Sequence, residues 1–372
     1  MLAAVLTAAV VAGSAGWAVG SEQQAVTGPL PGAGAWRADR APDLHGRPLP
    51  DPATASPARI AEFFAGLSEP QRQALAERHA LVVGNLDGAP PALRYAANSR
   101  ALRQERAGQL ARAADPRLPD QDRAAARARA ERYAELAGPG RRILAFDPRG
   151  RGQVAEVYGD LTAAEHIAVI VPGSDIDLNT FDRTKDRYGT PAGMARSLYA
   201  ATAGHRTAGH RTAVIAWAGY TTPVGLGPDA ATGRLAEAGA PRLARLAQGL
   251  VAAGRPRPAL FCHSYGSVVC GLAAPDAPAA DLVVAGSPGM RVDRAAELRT
   301  GARVWAAKNA DDWIDDVPHI RLLGLGHGAD PADPAFGARP VPTARAQGHT
   351  GYFAPGTDSL RAFAEIAVGS AH

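Results

Sequence analysis

Lysine is almost missing from this chain: Lys185 and Lys308 are the only two in 372 residues. Its 40 basic residues are therefore nearly all arginines, interleaved with 36 acids for a net charge of +4. No basic run with interleaved aromatics occurs, which sets nucleic acid aside as a partner. With so much Ala, Gly and Pro, the arginine bias is a mark of GC-rich coding. Cysteine is as scarce. Cys262 and Cys270 stand eight residues apart, and no metal-ligand spacing exists. One is expected to end a strand and the other to lie two helical turns further on. Counted along the helical rise, that is roughly 10 Å, too far for a disulfide. Both are read as small buried residues, and nothing in the sequence asks for a metal or organic cofactor.

Charge is absent from residues 1–20, MLAAVLTAAVVAGSAGWAVG. About 20 apolar residues cross a bilayer once, and Ala12, Ser14 and Ala18 resemble a cleavage region. The basic start of a secretory signal is missing. The segment is expected to be a signal peptide or membrane anchor, with a buried helix as the alternative. The protein would then be secreted or held at the outer face of the cell membrane. At 46% hydrophobic and 20% charged residues, the remainder can form a sizeable core.

Residues 21–55 are rich in Pro, Gly and Asp and read as a linker or extended arm. Residues 56–137 read as a helical layer: SPARIAEFFAGL and SEPQRQALAERH both open on a capping serine, with proline in the first turn. The GNLDG segment, with Asn85 and Asp87, is positioned to tie this layer to the functional face. From residue 138 to the end the pattern changes. RRILAFDP and GQVAEVYGDL suggest a strand pair around Arg149-Gly150. HIAVIVPG, TAVIAWAG, PALFCHS, DLVVAGSP and RVWAAKN then alternate with helical stretches, among them APRLARLAQGLVAAG and VDRAAELRT. That alternation predicts an α/β fold, a mostly parallel sheet covered on both faces. The repeat TAGHRTAGHRTA is a local duplication in a loop.

One strand runs into Cys262-His263-Ser264-Tyr265-Gly266. A serine on a sharp strand-to-helix turn presents its Oγ at the carboxyl edge of the sheet, provided that small residues flank it two positions away on each side. Ser264 is the candidate nucleophile, and helix capping is its bland alternative. The partners should follow in the order acid, histidine. Four aspartates follow RVWAAKN: Asp311, Asp312, Asp315 and Asp316. Asp312 is favoured and Asp311 is the reserve. His349, in the loop before a terminal helix capped by Thr357 or Asp358, is the favoured base. His319 and His327 come too soon after the acid to leave room for a last strand, for which RPVPTAR is the candidate. Oxyanion donors are expected at the Tyr265 amide and the Ser174 amide, with Asp175 in reserve; helix capping by Asp175 is the alternative there.

VVGNLDGAPPALRYAAN, CHSYGS, GLGHGADPADPAFGA and GHTGYF together resemble the α/β-hydrolase family of unknown function known as DUF1023, common in exported proteins of high-GC Gram-positive bacteria. The likeness spans roughly residues 60–370, and Cys262 departs from the more usual GHSYG. It implies an α/β-hydrolase fold with a triad carried here by Ser264, Asp312 and His349. The expected activity is serine hydrolysis of an ester, including a lipid or cell-envelope ester. A peptidase or amidase on the same triad, or a non-catalytic envelope binding protein, are the alternatives. No cap domain fits between the last strands, so the site is open or covered by the helical layer and the GHGADPADPAFGARP loop. Tyr265, Tyr352, Phe353 and Phe336 are expected to line the cleft for an apolar acyl group.

Overall fold

The computed structural model describes residues 22–41, 44, 46–203 and 211–371. The apolar segment 1–20 and most of the TAGHR repeat lie outside them. Among the described residues no helix is long and apolar enough to cross a membrane.

A short helix α1 (Ala33–Ala38) precedes the helical layer, α2 (Pro57–Ala65), α3 (Glu69–Arg78), α4 (Ala80–Gly84), α5 (Pro91–Ala114) and α6 (Asp120–Leu136). The start signals act as the sequence suggests. Ser56 accepts from the Arg59 amide, and Ser68 forms a reciprocal cap with Gln71; such a cap stabilises a helix by about 1 kcal/mol. Asn98, fully buried, donates to the carbonyls of Gly84 and Ile143 and so joins the layer to the sheet.

The sheet follows as β1 (Ile143–Asp147), β2 (Gln153–Tyr158), β3 (His166–Val171), β4 (Thr212–Ala218), β5 (Ala259–His263), β6 (Asp281–Ala285), β7 (Arg303–Ala307) and β8 (Arg339–Pro340). Between them come α7 (Pro191–Thr202), α8 (Pro228–Ala231), α9 (Arg234–Ala252) and α10 (Gly266–Ala273), and α11 (Asp358–Ala367) ends the chain. The spatial order is β1-β2-β4-β3-β5-β6-β7-β8. β1, β2 and β4 pair antiparallel, and every pair from β4–β3 to β7–β8 is parallel. Side-chain alternation sorts the core between the two faces. β3 sends Ile167, Val169 and Val171 toward α9 and α10, and Ala168 and Ile170 toward α7 and α11. Burial on both sides explains why its sequence reads as one apolar run.

Three expectations are corrected. The described residues between 22 and 55 are a packed arm and not a free linker: Trp36 is fully buried against α3 and α4 residues, and the Gln23 amide donates to Asp229. Its Pro and Gly shape irregular chain that still carries an apolar anchor. VDRAAELRT forms only a 3-10 turn at Ala295–Leu298, and α9 begins at Arg234, with Pro241 inside it. Cys262 and Cys270 form a disulfide with their Cα atoms 6.4 Å apart. The rise along the helix was the wrong ruler, because the chain reverses at residue 264 and α10 runs back alongside β5.

Candidate active site

Ser264 occupies the reversal. Its φ of 54° lies in the left-handed region, which non-glycine residues enter only when their surroundings hold them there. Here its amide donates to the Ala285 carbonyl at 2.9 Å, fixing the turn to the next strand. Close crossing of helix and loop demands glycine behind it. A Cβ on Gly266 would lie 2.4 Å from the Val171 carbonyl oxygen, and one on Gly173 would lie 3.0 Å from Ser264 Oγ. Cys262 fills the position two before the serine, and its sulfur meets this close approach by bonding to Cys270.

The candidate acid and the candidate base meet. His349 Nδ1 donates to Asp312 Oδ1 at 2.7 Å, which directs the lone pair of Nε2 away from the acid. Asp312 is buried and also accepts from the Ile314 amide at 2.9 Å and, through Oδ2, from the Tyr352 hydroxyl at 2.5 Å. Burial alone would raise its pKa, but these donors outweigh it and hold the carboxyl below its usual value. Nε2 of His349 is buried with no hydrogen-bond partner among the described residues, and no hydrogen bond joins it to Ser264 Oγ. The ring lies between Trp313 and His263, with centroids 4.4 and 4.8 Å away.

His263, at the end of the strand that leads into Ser264, holds the backbone of His349. Its Nε2 donates to the His349 carbonyl at 2.7 Å, and burial lowers its pKa to about 3, so the ring is neutral. Asn309 supports the loop from below: its side chain donates to the Gly348 carbonyl and its amide to the Tyr352 hydroxyl. Sequence reasoning gave no role to His263 or Asn309. Their signals were adjacency to Ser264 and placement directly after β7.

The competing residues do not join this pair. Asp311, Asp315 and Asp316 are exposed, and Asp315 pairs with Lys308. His327 holds the Ala230 carbonyl, and His319 faces Asp330. On the oxyanion side the Asp175 amide is used by the Pro223 carbonyl at 2.8 Å, whereas the Ser174 and Tyr265 amides have no partner among the described residues. The four aromatics expected to line a cleft are core instead. Tyr352 braces Asp312, Tyr265 donates to the Thr232 carbonyl, Phe353 packs on Phe261 and Phe363, and Phe336 lies under α9 and α10. What the surface shows is a different set. Trp313, Ile320, Leu322, Leu323 and Leu325 after β7, and Val224 and Leu226 after β4, are exposed apolar side chains on loops that flank this edge. No group of acidic, histidine or cysteine side chains among the described residues is arranged to hold a metal ion.

An eight-stranded, mostly parallel sheet with helices on both faces, carrying a serine at the β5 turn, has the α/β-hydrolase fold. A family model described as an alpha/beta hydrolase matches residues 147–322, which include Ser264 and Asp312. Two curated relatives from Mycobacterium tuberculosis, the uncharacterized proteins Rv2079 and MT2140, are each 28% identical over 379 residues, with 86% of this chain aligned. The chain spans only 57% of the length of these relatives. Among solved structures, 2,6-dihydroxy-pseudo-oxynicotine hydrolase aligns with 91% of this chain and 96% of its own, at 14% identity and a TM-score of 0.38.

Proposed function

We propose that this protein is a serine hydrolase that cleaves an ester through an acyl-enzyme, with Ser264 as nucleophile, His349 as general base and Asp312 as the orienting acid. One observation carries the reading: a His349–Asp312 pair braced by Tyr352, at the edge where Ser264 is held in a strained turn. Ser264 Oγ attacks the ester carbonyl carbon and its proton passes to His349 Nε2. The hydrogen bond between these two atoms, absent from the free protein, forms when substrate is bound. Asp312 stays ionised and stabilises the imidazolium. The oxyanion is met by the Tyr265 and Ser174 amides, each such donor being worth ~3 kcal/mol. Collapse expels the alcohol, which takes the proton from Nε2. Water then repeats the sequence and frees the acid and Ser264.

The apolar rim of Trp313, Leu322, Leu323, Leu325 and Leu226 supports a substrate with an acyl chain, such as a lipid or cell-envelope ester. A disulfide persists in oxidising surroundings, which supports an exported protein of the DUF1023 type, secreted or anchored at the outer membrane face through residues 1–20. A second reading, a non-catalytic envelope binding protein, is favoured by the missing hydrogen bond from Ser264 to His349. Labelling with a fluorophosphonate probe separates the two. Labelling of the wild type but not of Ser264→Ala supports the hydrolase, and p-nitrophenyl esters of increasing chain length then read the acyl preference. Folded protein that takes no label leaves the binding reading in its place.

A further inference from the structure

The same sheet edge carries a cavity outside the proposed catalytic machinery. It has a volume of about 180 Å³ and lies where the arm, the helical layer, β1–β2 and α9 meet. The arm contributes Gly28 to Leu30 and Pro52-Ala53 to its lining, and the end of β4 contributes Trp217. The GNLDG segment, to which the proposed hydrolysis gives no task, forms one wall. Asn85 reads both backbone groups of Phe146, at 2.7 and 3.1 Å, and so fixes this wall to β1.

The lining is charged, and unevenly so. Four arginines, Arg94, Arg149, Arg242 and Arg245, face two aspartates. Asp87 is taken by Arg94 at 2.9 Å and Asp147 by Arg149 at 2.7 Å. Arg242 reaches Asp147 only at 3.9 Å, and its one hydrogen bond among the described residues goes to the Gly219 carbonyl. Arg245 makes one bond among them, to the Ala55 carbonyl. Two guanidiniums therefore face the cavity without a carboxylate of their own. Gln153, at the start of β2, is 4% exposed, with neither its amide nitrogen nor its amide oxygen partnered among the described residues. Buried side-chain amides are nearly always satisfied. This one lines the cavity and offers a donor and an acceptor to whatever fills it.

We infer that this cavity binds a small oxyanion that also carries a hydroxyl group, a phosphate or a hydroxy-carboxylate. Arg242 and Arg245 meet its charge, since guanidiniums suit both oxyanions. The Gln153 amide nitrogen donates to an anion oxygen, and its oxygen accepts the ligand hydroxyl. An anion that has no proton to donate leaves that oxygen bare and binds less well. The ligand joins arm, layer and sheet edge, so it stabilises the folded chain as a whole.

The test uses the full chain, with melting temperature and calorimetry as readouts and inorganic phosphate, L-malate and sulfate as probes. Phosphate or malate should raise the melting temperature by ~3 °C or more at saturation, and sulfate should bind at least tenfold more weakly. A response to phosphate alone, or to malate alone, decides the ligand class within the proposal. Gln153→Glu, close to isosteric but negatively charged, should weaken binding at least tenfold, as should Arg242→Gln. Ser264→Ala should bind like wild type. No response to phosphate or malate at 10 mM means that the cavity holds only water, and the inference is overturned. Binding that survives both Gln153→Glu and Arg242→Gln in folded protein overturns it equally.

Discussion

His263 makes the acid sensitivity of this fold calculable. The ring is 4% exposed, and its pKa falls from 6.5 to about 3 through burial, opposed by its bond to the His349 carbonyl. In the unfolded chain the same ring takes up a proton near pH 6.5. Above that value both states are neutral and the full stability is present. As pH falls from 6.5 toward 3, only the unfolded state gains protons, so stability is progressively lost. Integrated between pH 7 and pH 5, the difference is about 2 kcal/mol, roughly a thirtyfold change in the folding equilibrium. His263→Gln removes the titration and keeps a donor for the His349 carbonyl. Urea unfolding of both proteins at pH 7 and pH 5 isolates the term, since all other titrating groups are shared. Wild type should lose about 2 kcal/mol more than the variant over that interval. Equal losses, within about 0.5 kcal/mol, would refute the claim that burial keeps this ring neutral.

Other substitutions test the neighbours. Asp312→Asn should lower kcat on a p-nitrophenyl ester by about 10³–10⁴-fold, because the imidazolium loses its counter-charge and its tautomer, whereas Asp311→Asn should stay within about twofold. Tyr352→Phe removes a hydrogen bond to a carboxylate, worth roughly 1.5–3 kcal/mol. It should reduce kcat about tenfold or more with KM little changed, measured in the same assay. Replacing Cys262 and Cys270 together by alanine should cost about 2–3 kcal/mol by the loop-closure estimate, seen as a lower urea midpoint.

Much of this was legible in the chain. Strands buried on both faces announce themselves as apolar runs, so HIAVIVPG and DLVVAGSP fell where β3 and β6 lie. Asp312 and His349 were legible because a doubly wound sheet places its functional loops after particular strands, and the structure brings those two side chains into contact. What stayed hidden depended on the chain turning back on itself. The spacing of Cys262 and Cys270 measures a path and not a distance. Tyr352 and Phe353 are apolar enough for either a cleft or a core, and only packing decides. The arm gave turn-rich signals throughout, and its apolar anchors, Trp36 with Ala33 and Leu44, stand singly among them. Arg242 and Gln153 line one cavity although 89 positions separate them in sequence, so no local pattern announces it.

The bridge between β5 and α10 closes a covalent ring with Ser264 inside it. A nucleophile's turn held only by hydrogen bonds can fray on its own, letting the first turns of the following helix unwind while the sheet stays folded. Here that partial opening is closed off, because Cys270 cannot leave Cys262. Amide exchange across this segment should therefore be slower with the bridge closed than with it reduced, and the strained φ of Ser264 has less of a local route to relax. Reduction would create such a route, turning a rigid part of the molecule into a small unit able to open by itself.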